Sequence, residues 1–174
     1  MQFPIESSRL SISPFRSTDF DQFYQVVKNP QVMHFIVRNG MPLEMAKESF
    51  DLRLRLYQQF PEMGSWKVCL KESGEYIGHC NYNYIRKSNL PQLGYLLLPE
   101  FWGKGYATEI AQTLSDYHRT RFAHSRYENK LYALTDNENT ASQNVLEKVG
   151  FQYVKRAFYY GTWCRFYVQE NRKV

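Results

Sequence analysis

The chain has 174 residues, 43% of them hydrophobic, enough for one α/β domain with a sizeable core and too few for two comfortable ones, so residues 1–174 are expected to form a single domain. The 22 Lys and Arg against 17 Asp and Glu give a formal charge of +5, a field that mildly favours anions such as phosphates. No apolar run approaches a membrane span, and Met1 to Leu10 lacks the basic start and apolar middle of a signal peptide, so a cytoplasmic protein with no membrane contact is expected.

Arg9 to Phe15 alternates apolar and polar residues with period two, the pattern of a half-buried strand. Thr18-Asp19 is placed to cap a helix over Asp21 to Lys28, and an aromatic and aliphatic piece, Val32 to Val37, ends at Asn39-Gly40. Pro42 opens a second helix in which Met45, Phe50, Leu52, Leu56 and Tyr57 recur at helical spacing until Pro61 stops them. Trp66, Val68 and Leu70 then alternate with polar residues, and the Ser73-Gly74 turn leads into Glu75 to Ile85, which reads as a hairpin.

After the turn at Ser88 to Pro91, Gln92 to Leu98 is almost wholly apolar, as suits a strand covered on both faces, and Pro99 ends it. Between Gly105 and Phe122, the residues Ala107, Ile110, Ala111, Leu114 and Tyr117 share one helical face. A strand from Lys130 to Thr135, a helix from Asn139 to Val149 and strands at Phe151 to Phe158 and Thr162 to Val168 complete the order. The sequence β-α-α-β-β-β-α-β-α-β-β has strand–helix–strand crossovers in its second half alone.

Leu96 to Thr108 joins a buried strand, a short turn with glycines at 103 and 105, and a helix start. Glycines let the backbone approach an anion closely, the first N–H groups of the helix point at it, and Lys104 adds a cation. A simple turn without a ligand gives the same pattern. The P-loop motif is excluded because Gly105, not Ser or Thr, follows Lys104, and the dinucleotide fingerprint lacks its third glycine. Cys69, Cys80 and Cys164 are widely spaced, fit no zinc or redox motif, and are expected to be buried, reduced thiols. The four His form no metal cluster, and the densest basic stretch, Arg119, Arg121, Arg126 and Lys130, reads either as solvated surface or as a ligand-facing patch.

Gly94-Tyr-Leu-Leu-Leu-Pro-Glu-Phe-Trp-Gly-Lys-Gly-Tyr-Ala-Thr-Glu109 resembles the acetyl-CoA pyrophosphate motif of the GNAT acetyltransferase superfamily, in its RimJ/RimL-like form. Trp102 stands where the general motif has Arg or Gln. Asn139-Thr-Ala-Ser-Gln-Asn-Val-Leu-Glu-Lys-Val-Gly-Phe151 resembles the same branch's Asn-x-x-Ser helix. The resemblance implies a GNAT fold, an α/β arrangement with a central, twisted, mixed but mostly antiparallel sheet flanked by helices. The family's fourth and fifth strands splay apart, so the pantetheine arm of acetyl-CoA would lie along Leu96, Leu97 and Leu98. The pyrophosphate would rest on the turn through Trp102, Gly103, Lys104, Gly105, Tyr106, Ala107 and Thr108. Asn139, Ser142 and Leu146 share one helical face and would border the thioester.

Many family members carry a Tyr acid at the position of Leu146. Its absence leaves Ser142 to protonate the departing thiolate, against the plainer role of capping or back-bonding its helix. Asn139 divides likewise between an N-cap and a pantetheine contact. His79 is the most tunable candidate base, though a lone strand histidine also serves as a hydrogen-bonded core residue. Gln92 replaces a Glu often found there. Direct transfer from acetyl-CoA to an amine through a ternary complex, without an acetyl-enzyme, is implied, the acceptor being a protein N-terminal α-amine or a small molecule, and no metal is expected. Phe20 to Phe60 and the Tyr159 to Trp163 hairpin would shape the acceptor site. A CoA-binding protein with little activity is the alternative; a nucleic-acid partner lacks a motif, and both monomer and homodimer are open.

Overall fold

A computed structural model describes residues 3–122 and 129–170; Arg126 lies outside the described residues. Among the described residues, eight strands form one sheet in the order β1-β2-β3-β4-β5-β6-β8-β7. They are β1 (Ile5–Glu6), β2 (Leu10–Pro14), β3 (Gly64–Leu70), β4 (Tyr76–Tyr84), β5 (Pro91–Leu97), β6 (Lys130–Asp136), β7 (Gln152–Tyr159) and β8 (Thr162–Glu170). Every neighbouring pair is antiparallel except β5 and β6. The helices are α1 (Phe20–Val27), α2 (Pro30–Met33), α3 (Leu43–Gln59), α4 (Tyr106–Arg121) and α5 (Thr140–Lys148).

Successive strand residues point to opposite faces, and β4 shows what covers each. His79 packs on Phe23 of α1, whereas Tyr82 packs on Tyr117 and His118 of α4. The buried rings of Trp66, Tyr82 and Tyr117 fill the α4 side, while Phe15, Phe23 and Phe50 fill the other in edge-on and tilted contacts. Aromatic rings therefore fill both layers of core.

Four sequence expectations change. A two-residue strand, β1, pairs Ile5 with Ile12, too short to leave a periodic signal. Pro30 opens α2, capped by Asn29, whose side chain accepts from the N–H groups of Gln31 and Val32; Ile36 and Val37, beyond its end, are exposed. Asp19 precedes α1 but does not cap it. Its carboxylate accepts instead from the Arg16 N–H at 2.8 Å and pairs with Lys67 at 3.0 Å. Cys80 and Cys164 are buried, but Cys69 is half-buried; all three are free thiols whose pKa burial raises.

Candidate functional site

The parallel pairing of β5 with β6 is confined to Gln92 opposite Tyr132, so the strands part toward Leu96 and Leu97 on one side and Thr135 and Asp136 on the other. The α4 crossover that joins them starts at the wide end. Between β5 and α4, Pro99–Phe101 makes a single tight turn, and the Trp102 indole N–H bonds back to the Leu97 carbonyl at 2.8 Å. Trp102 thus ties the turn to the strand.

Gly103 and Gly105 both have left-handed φ, +72° and +80°. A side chain at either would strain the turn, although a Cβ at Gly103 would meet nothing within 4 Å. Gly105 is the N-cap of α4 and offers no side-chain acceptor, and the N–H groups of Gly103 to Thr108 have no partner among the described hydrogen bonds. Free donors at a helix start with an exposed Lys104 beside them suit a pyrophosphate, and the parted strands suit an extended arm. The residues present fit acetyl-CoA.

Sequence reasoning missed Arg9. Its guanidinium bonds the Lys104 carbonyl at 3.1 Å and the Glu109 carboxylate at 2.7 Å, and lies 4.4 Å from the centre of the Tyr106 ring. The Arg9 N–H and the Ser7 hydroxyl also donate to Glu109. Burial alone would raise the Glu109 pKa, but these donors and the Arg9 charge outweigh it and hold the carboxyl below its usual range. The turn is therefore braced from the start of β2.

On the facing wall, the Asn139 side chain caps α5 by accepting from the Ser142 N–H at 3.0 Å. Ser142 does not back-bond its helix. Its Oγ lies 3.0 Å from the hydroxyl of Tyr95 on β5, a residue that sequence reasoning did not single out. Burial pushes the Tyr95 phenol up to about 12, with the Ser142 hydrogen bond opposing. Leu98 and Leu97 are buried and Leu96 half-buried. Leu146 shares the helical face of Ser142, and at 1% exposure its side chain belongs to the core.

His79 is apart from this group. It is wholly buried between Phe15 and Phe23, on the opposite face from Tyr95 and Ser142. Burial, then the Arg53 charge, brings its pKa down to about 3. The Tyr76 hydroxyl, whose pKa burial raises, lies 3.2 Å from His79 Nδ1, and His79 Nε2 has no partner among the described residues.

The hairpin expected to shape an acceptor site reaches back across the sheet. Tyr160 Oη accepts from the Arg86 N–H at 3.3 Å and from the Gln92 side chain at 2.9 Å, with Phe158 and Trp163 exposed beside it. Arg38, before α3, comes within 3.9 Å of Asp136 at the end of β6. An open groove of about 880 Å3 also starts at Gly105 and Thr108, but it follows α4 toward Thr120, away from Ser142. The parted strands, beside which the Tyr95 and Ser142 hydroxyls meet, are the better candidate for chemistry. Among the described residues no group of three His, Cys, Asp or Glu is placed to hold a metal, and no helix is long and apolar enough to cross a membrane.

Residues 9–152 match the acetyltransferase (GNAT) domain family. The N-acetyltransferase p20 of Bacillus licheniformis is 29% identical over 150 residues, covering 84% of this chain and 80% of its own. Among solved structures, a Salmonella typhimurium acetyltransferase that modifies the N-terminal serine of ribosomal protein L7/L12 superposes with a TM-score of 0.74 at 18% identity, covering 95% of this chain and 98% of its own. Spermidine N-acetyltransferase from Vibrio cholerae, solved with CoA and spermine, superposes at 0.71 and 19% identity, covering 96% and 98%.

Proposed function

Because the chain belongs to the GNAT acetyltransferase family, we propose that this N-acetyltransferase binds acetyl-CoA at the turn through Gly103 to Thr108 and along Leu96 to Leu98, and acetylates the α-amine of a peptide or protein N-terminus. The observation that carries the site is an uncapped, two-glycine helix start beside strands that pair at Gln92 and Tyr132 and then part. Acetyl-CoA supplies an activated acyl group. The N–H groups of the turn hold its phosphates, the bare edge of β5 orients its arm, and Ser142 faces the thioester and protonates the departing sulfur.

The RimJ/RimL-like form of the motif supports a peptide acceptor in a cytoplasmic setting. The two structural neighbours divide, one acting on a protein N-terminus and the other a spermidine enzyme, so likeness of fold does not choose. Chemistry gives a reason for the α-amine. Its pKa of about 8 leaves roughly a tenth of it neutral at pH 7, whereas a lysine-like amine of pKa about 10.4 is neutral in fewer than about one molecule in a thousand and depends more on a base. His79, enclosed in the core, does not face the gap to supply one.

The test is release of CoA from acetyl-CoA with N-terminal peptides, amino acids, polyamines and aminoglycosides, using wild type and Gly105→Glu. The substitution puts a side chain and a negative charge where the phosphates would lie. Turnover of peptides by the wild type, with calorimetric acetyl-CoA binding lost in a folded variant, is expected. Turnover of polyamines or aminoglycosides and not peptides would reassign the acceptor; unchanged affinity in the variant would refute the site. Binding of acetyl-CoA without turnover of any amine would favour a CoA-binding protein, a reading consistent with Leu146 at the place of the usual Tyr acid.

A further inference from the structure

Tyr95 and Ser142 belong to different walls of the gap, β5 and the first turn of α5, yet their hydroxyls meet at 3.0 Å. Each hydroxyl has one proton, so in this contact one donates and the other accepts. For Tyr95 the alternative acceptor among the described residues is the Ser142 carbonyl, at a longer 3.4 Å. For Ser142 the local backbone gives no competing acceptor: Asn139 takes its N–H, and its Oγ makes no bond to the helix. If Tyr95 donates into Oγ, the Ser142 proton is left free to turn into the gap.

We propose that Tyr95 is a positioning residue, whose phenolic O–H donates to Ser142 Oγ and aims the serine proton at the departing sulfur. The proposal rests on the reading of Ser142 as the group that protonates the thiolate. In the transfer, the acceptor nitrogen bonds to the acyl carbon as the carbon–sulfur bond breaks. Sulfur leaves with the electron pair and takes the Ser142 proton, while the proton lost by nitrogen passes to solvent, from which the serine is restored. Tyr95 keeps its own proton throughout; its burial favours the neutral phenol. A hydrogen bond received at Oγ also makes the serine O–H a stronger donor, because bonds in a chain polarise one another. Donation from the opposite wall thus gives Ser142 both direction and strength.

Tyr95→Phe removes the hydroxyl and keeps the ring, and Ser142→Ala removes the group it orients. Both variants and the double variant are assayed with acetyl-CoA and the best acceptor from the panel, reading kcat, both KM values and the thermal midpoint. Ser142→Ala is expected to lower kcat by about ten- to a thousandfold. Tyr95→Phe is expected to lower it about tenfold, with the KM for acetyl-CoA unchanged. In the Ser142→Ala background the tyrosine substitution is expected to have no further effect, which a general packing role would not produce. An equal loss from Tyr95→Phe in both backgrounds overturns the proposal, as does an unchanged kcat in Tyr95→Phe when Ser142→Ala is impaired; either leaves the serine reading standing. Full activity in Ser142→Ala removes that reading itself and the proposal with it.

Discussion

Arg9 braces three parts of the phosphate-facing turn, the Lys104 carbonyl, the Tyr106 ring and the Glu109 carboxylate, so it acts on a candidate ligand without facing it. Its side chain is 47% exposed, and an exposed ion pair adds little to global stability. Arg9→Ala is therefore expected to weaken acetyl-CoA binding by about 1–2 kcal/mol in calorimetry while moving the thermal midpoint little. The same brace is sensitive to acid. Glu109 has its pKa lowered on folding, so its contribution is present above the ordinary carboxylate range and is lost as pH falls through the lowered value. A difference in affinity between wild type and Glu109→Gln at neutral pH should accordingly vanish in acid. If the difference persists below that range, the brace does not work through the charge.

The β4–β5 pair shows how a strand can depend on one residue beside a candidate site. Gly78 has φ +151°, and a Cβ there would lie 2.2 Å from the Leu96 carbonyl oxygen and 2.8 Å from Leu97 Cα. Gly78→Ala must push β5 away along the stretch proposed to bind the pantetheine arm. A loss of at least about 2 kcal/mol in urea unfolding is expected, with weaker acetyl-CoA binding. Elements with their own period were legible in sequence. The apolar face of α4 and the alternation of Leu10 and Ile12 in β2 identify themselves, as does the glycine turn. What was hidden depends on partners far along the chain. Arg9 meets Glu109 a hundred positions away, and Tyr95 meets Ser142 across 47. Asp19 was misread for the same reason: its local position suggests a cap, but Lys67 on β3 takes its carboxylate.

At the scale of the molecule, His79 links the packing of α1 on the sheet to pH. Unfolded, its imidazole binds a proton in the ordinary histidine range; folded, it does so near pH 3. Stability is therefore full above the ordinary range and falls with acid from there down to about 3, by at most about 1.4 kcal/mol per pH unit. Urea midpoints measured across that window should slope less in His79→Gln than in wild type, and parallel slopes would remove His79 as the cause. The sheet as a whole consists of two plates, β1 to β5 and β6 to β8, joined in backbone pairing by a single stitch at Gln92 and Tyr132. Bare strand edges normally invite other chains to pair and aggregate. Here the outer borders are blunted, by a two-residue strand on one side and by Lys155 and Arg156 on the other. The long bare edges beyond the stitch face each other inside the seam, where an incoming polypeptide would have to enter between the plates. The opening that suits a slender ligand thus also hides the backbone most able to recruit a neighbour, and recognition and protection against aggregation come from the same divergence of two strands.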